Sequence, residues 1–130
     1  MSELQRVGAI TLFVEDTKRS KGFYERVFGL TPVYEDENAV AFEFENMIVN
    51  LLESGTPARE LIDPAAVAGA AAGSSFQLTI WVDDADAVVA DLAERGVELL
   101  NGPIDRPWGM RTASFTDPDG HIWEVAAKIA

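Results

Sequence analysis

No cysteine occurs in the 130-residue sequence, and there is one histidine. The first absence excludes disulfides, thiolate nucleophiles, iron–sulfur clusters and thiolate zinc sites. The second excludes any site needing two imidazoles from one chain. Positive charge is scarce as well: 10 Lys and Arg stand against 22 Asp and Glu, a formal charge of −12. Nucleic acid and anionic membranes are held through Lys and Arg, so neither is an expected partner. No apolar run approaches the ~20 residues that span a bilayer. The opening Met1-Ser2-Glu3-Leu4-Gln5-Arg6-Val7 lacks the basic-then-apolar pattern of a leader, so a cytoplasmic location is expected. A Gly-x-Ser-x-Gly elbow is missing too, and the glycines at 69 and 73 have no lysine beside them to cradle a phosphate.

What the sequence has is an ordinary globular composition, 48% hydrophobic and 25% charged, which suits one domain over residues 1–130. Within it an internal repeat stands out. Ala9-Ile10-Thr11-Leu12-Phe13-Val14-Glu15-Asp16 aligns without gaps on Gln77-Leu78-Thr79-Ile80-Trp81-Val82-Asp83-Asp84. Both copies are short, β-branched and aromatic, and end on two acids, which predicts a strand. Asp16 or Thr17 can cap a following helix that stops at Gly29, and Asp84 can cap one that stops at Gly96. In the second helix Ala85, Val88, Val89, Leu92 and Ala93 form one apolar stripe. Each helix leads into strands, and Asn46–Leu52 aligns on Gly120–Ala126, placing Ile48 on Ile122 and Asn50 on Glu124. The chain therefore reads α+β, as two tandem βαβββ modules with pseudo-twofold symmetry, residues 8–53 and 76–128. The connector 54–75 is expected to hold about one helical turn; it reads either as a lid over a site or as a plain crossover.

Several segments carry a family resemblance: Ile10-Thr11-Leu12-Phe13-Val14-Glu15-Asp16, Arg19-Ser20-Lys21-Gly22-Phe23-Tyr24, Val27-Phe28-Gly29-Leu30, and Asp117-Pro118-Asp119-Gly120-His121-Ile122-Trp123-Glu124-Val125. They resemble the vicinal-oxygen-chelate superfamily of glyoxalases, extradiol dioxygenases, and fosfomycin- and bleomycin-resistance proteins. The resemblance implies paired modules that form a curved mixed sheet around a cleft, with helices on the outer face. It also implies four metal-ligand positions, two per module, on the first and last strands. These fall on Ala9, Asn50, Gln77 and Glu124, the same residues that the repeat pairs. Alanine has no donor atom and amides are poor ligands for transition metals, so neither a metal nor another cofactor is expected. No catalytic residue is assigned.

Strand alternation predicts what faces the cleft instead. Thr11, Phe13, Ile48, Leu52, Thr79, Trp81, Ile122 and Ala126 share a face with Asn50, Gln77 and Glu124. Phe13 and Trp81 read either as pocket walls or as fillers of a closed core. Glu124 reads as a ligand-contacting acid or as a structural carboxylate whose donor is Arg111 or Gln77. His121 has the wrong parity to join Glu124 and reads as a turn-edge residue in solvent. Arg106-Pro107-Trp108-Gly109-Met110-Arg111 accounts for the six residues by which the second module exceeds the first. It resembles the bleomycin-resistance proteins, which implies a tryptophan at the mouth of a ligand groove; Trp108 is otherwise a loop anchor. Phe42 and Phe44 are candidates for a second aromatic wall. The acidic clusters Glu35-Asp36-Glu37 and Asp83-Asp84-Asp86 read as solvated turns and caps.

The ligand-contacting set is thus Thr11, Phe13, Asn50, Gln77, Thr79, Trp81, Trp108, Arg111 and Glu124. It suits a metal-free protein that sequesters a small planar aromatic compound, as bleomycin-resistance proteins do. With a charge of −12 that compound is expected to be neutral or cationic. The alternative is a metal-dependent lyase or dioxygenase with an atypical ligand set. Exposed strand edges and the resemblance together imply a homodimer.

Overall fold

Asp16 and Asp84 hold the same backbone conformation, φ near −137° with ψ near 104°, and each starts a helix. The Asp16 carboxylate accepts from the Lys18 and Arg19 amides, and that of Asp84 from the Ala87 amide, satisfying donors that no helical carbonyl reaches. These contacts are seen in a computed structural model that describes residues 4–129. Helix α1 (Thr17–Phe28) ends at Gly29, whose φ of 68° is left-handed and whose N–H meets the Glu25 carbonyl. Helix α3 (Ala85–Glu94) ends with Gly96 N–H on the Ala93 carbonyl and Val97 N–H on the Leu92 carbonyl. That is the Schellman pattern, with Gly96 at φ 80°.

The chain divides into two compact units, Met1–Ala71 and Ala72–Ala130, each containing one repeat. The first holds β1 (Ala9–Val14), α1, β2 (Pro32–Glu35), β3 (Ala39–Glu43) and β4 (Ile48–Glu53). The second holds β5 (Gln77–Trp81), α3, β6 (Leu99–Asp105), β7 (Met110–Thr116) and β8 (Ile122–Lys128). Strand orders are β1-β4-β3-β2 and β5-β8-β7-β6, with the first pair of each sheet parallel and the others antiparallel. The registers match: Ala9 lies beside Ile48 as Gln77 lies beside Ile122, and Thr11 beside Asn50 as Thr79 beside Glu124. The expected α+β class and repeated βαβββ order are what is found.

The connector departs from its expected single turn. It forms α2 (Thr56–Ile62) and a short 3-10 turn at Ala70–Ala72. Pro57 near the start of α2 suits its first turn, and buried Ala58 packs the helix on β4.

In the first unit Leu12, Val14, Val40, Phe42, Val49 and Leu51 are buried on the face that meets α1. Tyr24 of α1 stacks on Phe42 with ring centroids 5.8 Å apart, and Phe28 meets Phe44 edge-on at 5.2 Å. Phe42 and Phe44 therefore pack against the helix and do not form a second aromatic wall; their parity places them on the helix side. In the second unit Ala85 and Leu92 of α3 are buried, and Trp123 and Val125 are buried on the sheet.

The six extra residues of the second module are not a block at 106–111. They lengthen a whole hairpin, Leu99–Thr116 against Pro32–Glu43. Its tip, Arg106-Pro107-Trp108-Gly109, is closed by Gly109 N–H on the Arg106 carbonyl and Arg106 N–H on the Met110 carbonyl. The turn Asp117-Pro118-Asp119-Gly120 is closed in the same way. In both, proline presets φ and glycine supplies positive φ, 87° and 86°.

Gly102 of β6 crosses the sheet closely at φ 97°; an added Cβ would lie 2.5 Å from the Thr112 carbonyl oxygen. Gly102→Ala should cost roughly 2–4 kcal/mol, combining strained φ with overpacking. Gly22 lies within α1 with nothing within 4 Å of its missing Cβ, so Gly22→Ala should gain about 0.5–1 kcal/mol. Urea unfolding midpoints of the two variants check both signs.

Candidate functional site

Register across the second sheet sorts the face away from α3 into rows. One runs Trp81, Ala126, Thr112, Ile104; the next runs Thr79, Glu124, Ser114, Asn101. The first row is mainly apolar, with Ala126 and Thr112 buried as a floor between exposed ends. The second is polar throughout. Trp81 is 74% exposed, so it does not fill a core. It lines a groove of about 520 Å³ with Val82, Asp83, Met110, Ala126 and Lys128.

Glu124 is half-buried, and its Oε1 accepts a hydrogen bond from Thr79 Oγ1 at 3.0 Å. The expected donors, Arg111 and Gln77, are not the ones used. Gln77 is exposed beside Ile122. Arg111 pairs with Ala127 in register, one step out of phase with Thr112, so it leaves from the helix side. There its guanidinium bridges Asp86 of α3 at 3.0 Å and Asp105 at 2.9 Å. Arg111 is therefore removed from the face that carries Glu124, and Asp86 is an ion-pair partner rather than a merely solvated acid.

The residue that sequence reasoning missed is Arg106. Its Nε donates to Thr112 Oγ1 at 3.0 Å, and Nη2 reaches Asn101 Oδ1 at 3.5 Å. Its guanidinium carbon lies 6.0 Å from the centroid of the Trp108 ring, itself 66% exposed at the hairpin tip. The available signal was parity: counting back along β7 from Ser114 places Thr112 on the Glu124 face, with the hairpin tip beside it. In the first unit, Thr11 Oγ1 accepts from Asn50 Nδ2 at 3.3 Å, the repeat equivalent of the Thr79–Glu124 pair. Phe13 is half-exposed beside Leu52.

A family model of the Glyoxalase/Bleomycin resistance protein/Dioxygenase superfamily matches residues 6–125. The chain belongs to this superfamily. YraH of Bacillus subtilis is 36% identical over 120 residues, covering 89% of this chain and 93% of YraH. Metallothiol transferase FosB of Lysinibacillus sphaericus is 25% identical over 122 residues, 93% of this chain and 81% of FosB. A glyoxalase-related enzyme from Fulvimarina pelagi superposes with a TM-score of 0.82 at 26% identity, covering 96% of this chain and 89% of that one.

The metal-ligand positions implied for this glyoxalase-superfamily chain can be tested on donor chemistry. The first unit offers Ala9, with no donor, and the Asn50 amide already engaged with Thr11. The second offers Gln77 and one carboxylate, Glu124. Among the described residues no group of three His, Cys, Asp or Glu side chains is placed to hold a metal. This donor set does not fit a divalent transition metal, which takes imidazole, thiolate or several carboxylates.

His121 is not a solvated turn residue. The turn folds it back so that Nδ1 lies 2.7 Å from Asp117 Oδ2, with side-chain exposures of 17% and 0%. Asp117 Oδ1 also accepts from the Asp119 and His121 amides. Burial pulls the imidazole pKa down, but the Asp117 hydrogen bond and the Asp117 and Asp119 charges outweigh it and leave it above 6.5. A raised pKa stabilises the fold fully below the unfolded value, near 6.5. That stability is lost as pH rises through the folded value. Urea midpoints of wild type minus those of His121→Gln should therefore fall from pH 6 to pH 8.5; a flat difference contradicts the pair.

Proposed function

We propose that this superfamily member binds a small planar aromatic compound without a catalytic metal, and does so as a homodimer. The observation that carries this reading is the arrangement of the open face in the second unit. Exposed Trp81 stands at one end of a floor of buried Ala126 and Thr112, and exposed Trp108 stands at the hairpin tip next to Arg106, whose Nε is anchored on Thr112. Exposed indoles are unfavourable in water and suit the faces of planar ligands. Thr79, Glu124, Ser114 and Asn101 add hydrogen-bonding groups in one row, as pockets that fix a ligand's orientation do. With only one carboxylate in the implied ligand set, binding is better supported than metal chemistry.

A second reading, metal-dependent chemistry on an atypical ligand set, draws on Glu124 and on the likeness to a protein named metallothiol transferase. Metal analysis and titration with Mn²⁺, Ni²⁺, Zn²⁺ and Fe²⁺ separate the two. The binding reading expects less than one equivalent of metal after purification and no saturation at micromolar concentrations. It also expects planar aromatic compounds to quench tryptophan fluorescence, with Trp108→Ala losing most of that quenching. Stoichiometric metal at micromolar affinity favours the second reading. Light scattering at micromolar protein tests the dimer, which a monomer mass contradicts.

A further inference from the structure

Two arginines lie five residues apart on the lengthened hairpin and have opposite surroundings. Arg111 is held by two carboxylates, Asp86 and Asp105. Arg106 has none: among the described residues its partners are the neutral oxygens of Thr112 and Asn101 and the ring of Trp108. It is half-buried in a protein with 22 acidic side chains, yet no acid is placed against it.

The geometry leaves a defined part of this guanidinium open. Nε is committed to Thr112, and Nη2 gives one N–H toward Asn101. Nη1 and the other Nη2 N–H form the end of the fork, the edge that takes a carboxylate or similar oxyanion through two parallel hydrogen bonds. Thr112 is 1% exposed, so the anchor that orients the fork is fixed in the sheet. The guanidinium lies over the Trp108 ring at the tip, so a ring attached to the oxyanion would lie next to that indole. Glu124 does not neutralise Arg106. It lies on β8 beyond the β7 residues Thr112 and Ser114, and its Oε1 is turned to Thr79.

We propose that Arg106 reads a carboxylate or equivalent oxyanion on the planar ligand of this face. The proposal rests on the small-molecule reading above and replaces the neutral or cationic ligand expected from net charge. Net charge sets the field far from the protein, where it slows an anion's approach. The choice at the site is made by the group that the ligand touches.

Calorimetric titration of the full chain with 2-naphthoate, 2-naphthamide and 2-naphthylmethylamine tests it, since the three share a ring and differ in charge. Wild type should bind naphthoate about tenfold or more tighter than naphthamide, the range expected of hydrogen bonds to a charged group. Arg106→Gln should bring naphthoate to the level of naphthamide. Arg106→Lys, which keeps the charge but not the fork, should retain only part of the preference. Naphthoate no tighter than naphthamide in wild type overturns the oxyanion proposal alone, as does a preference that survives in Arg106→Gln. Binding by none of the three overturns this proposal and the small-molecule reading together. If Arg106→Gln does not fold, as circular dichroism would show, the wild-type ranking decides.

Discussion

The open face of the second unit depends on the register of β8 between β5 and β7. A slip of one residue would exchange Glu124 and Ala126 for Trp123 and Val125, because side chains alternate across a strand. Trp123 and Val125 are each 3% exposed against the helix side, so the slipped sheet would bury a carboxylate and expose an indole. Burying an unpaired charge costs more than almost any other single change. Two features outside the sheet hold the same register. The Asp117–Gly120 turn fixes where β8 begins, and the Gly109 carbonyl accepts from Ile129 N–H just past its end. The two turns that share the x-Pro-x-Gly pattern are therefore joined through β8, and the hairpin tip bearing Arg106 and Trp108 is tied to the strand bearing Glu124.

Charge in this protein has to be read by placement. The total of −12 suggests that a ligand should be neutral or cationic. Yet Asp105 on the lengthened hairpin and Asp86 of α3 are both engaged by Arg111 on the helix side. Parity along β7 decides this: residue 111 leaves from one face, while residue 112 on the other receives Arg106. The exposed Asp86–Arg111–Asp105 cluster adds little stability, since charges in water are well screened. Its consequence is positional, because it ties the start of α3 to the hairpin on the face away from Glu124.

The repeated fold was legible because its punctuation is repeated. Asp16 and Asp84 cap, Gly29 and Gly96 terminate, and the strand pairs between them alternate in phase, so local chemistry and long-range pairing agree. Which residues share a face was legible only on the strands whose parity could be counted from the repeat, β1, β4, β5 and β8. On β7 the repeat offers no such count, because the lengthened hairpin has no gap-free counterpart in the first module. Thr112 and Ser114 were therefore missed and Arg111 was placed on the wrong side. β6 was harder, since its register shifts between Leu99, Asn101 and Ile104, where Gly102 lets the chain cross closely. His121 was misread for another reason. Its partner Asp117 lies in the same turn, where an Asp-Pro-Asp-Gly sequence signals backbone geometry and carries no sign of the carboxylate folded beneath the imidazole.

The two copies also show where chemistry has been added to a common frame. Thr11 with Asn50 and Thr79 with Glu124 occupy the same register, but the first pair is neutral and the second carries a charge. The hairpins differ in the same sense. In the first unit Asp36 accepts from the Asn38 and Ala39 amides and from the Tyr34 hydroxyl, so that tip satisfies its own polar groups. In the second the longer hairpin ends in a guanidinium whose fork is open and an indole that is exposed. The second module thus joins its hairpin tip to its sheet face through Arg106 and Thr112, whereas the tip of the first turns its polar groups onto Asp36.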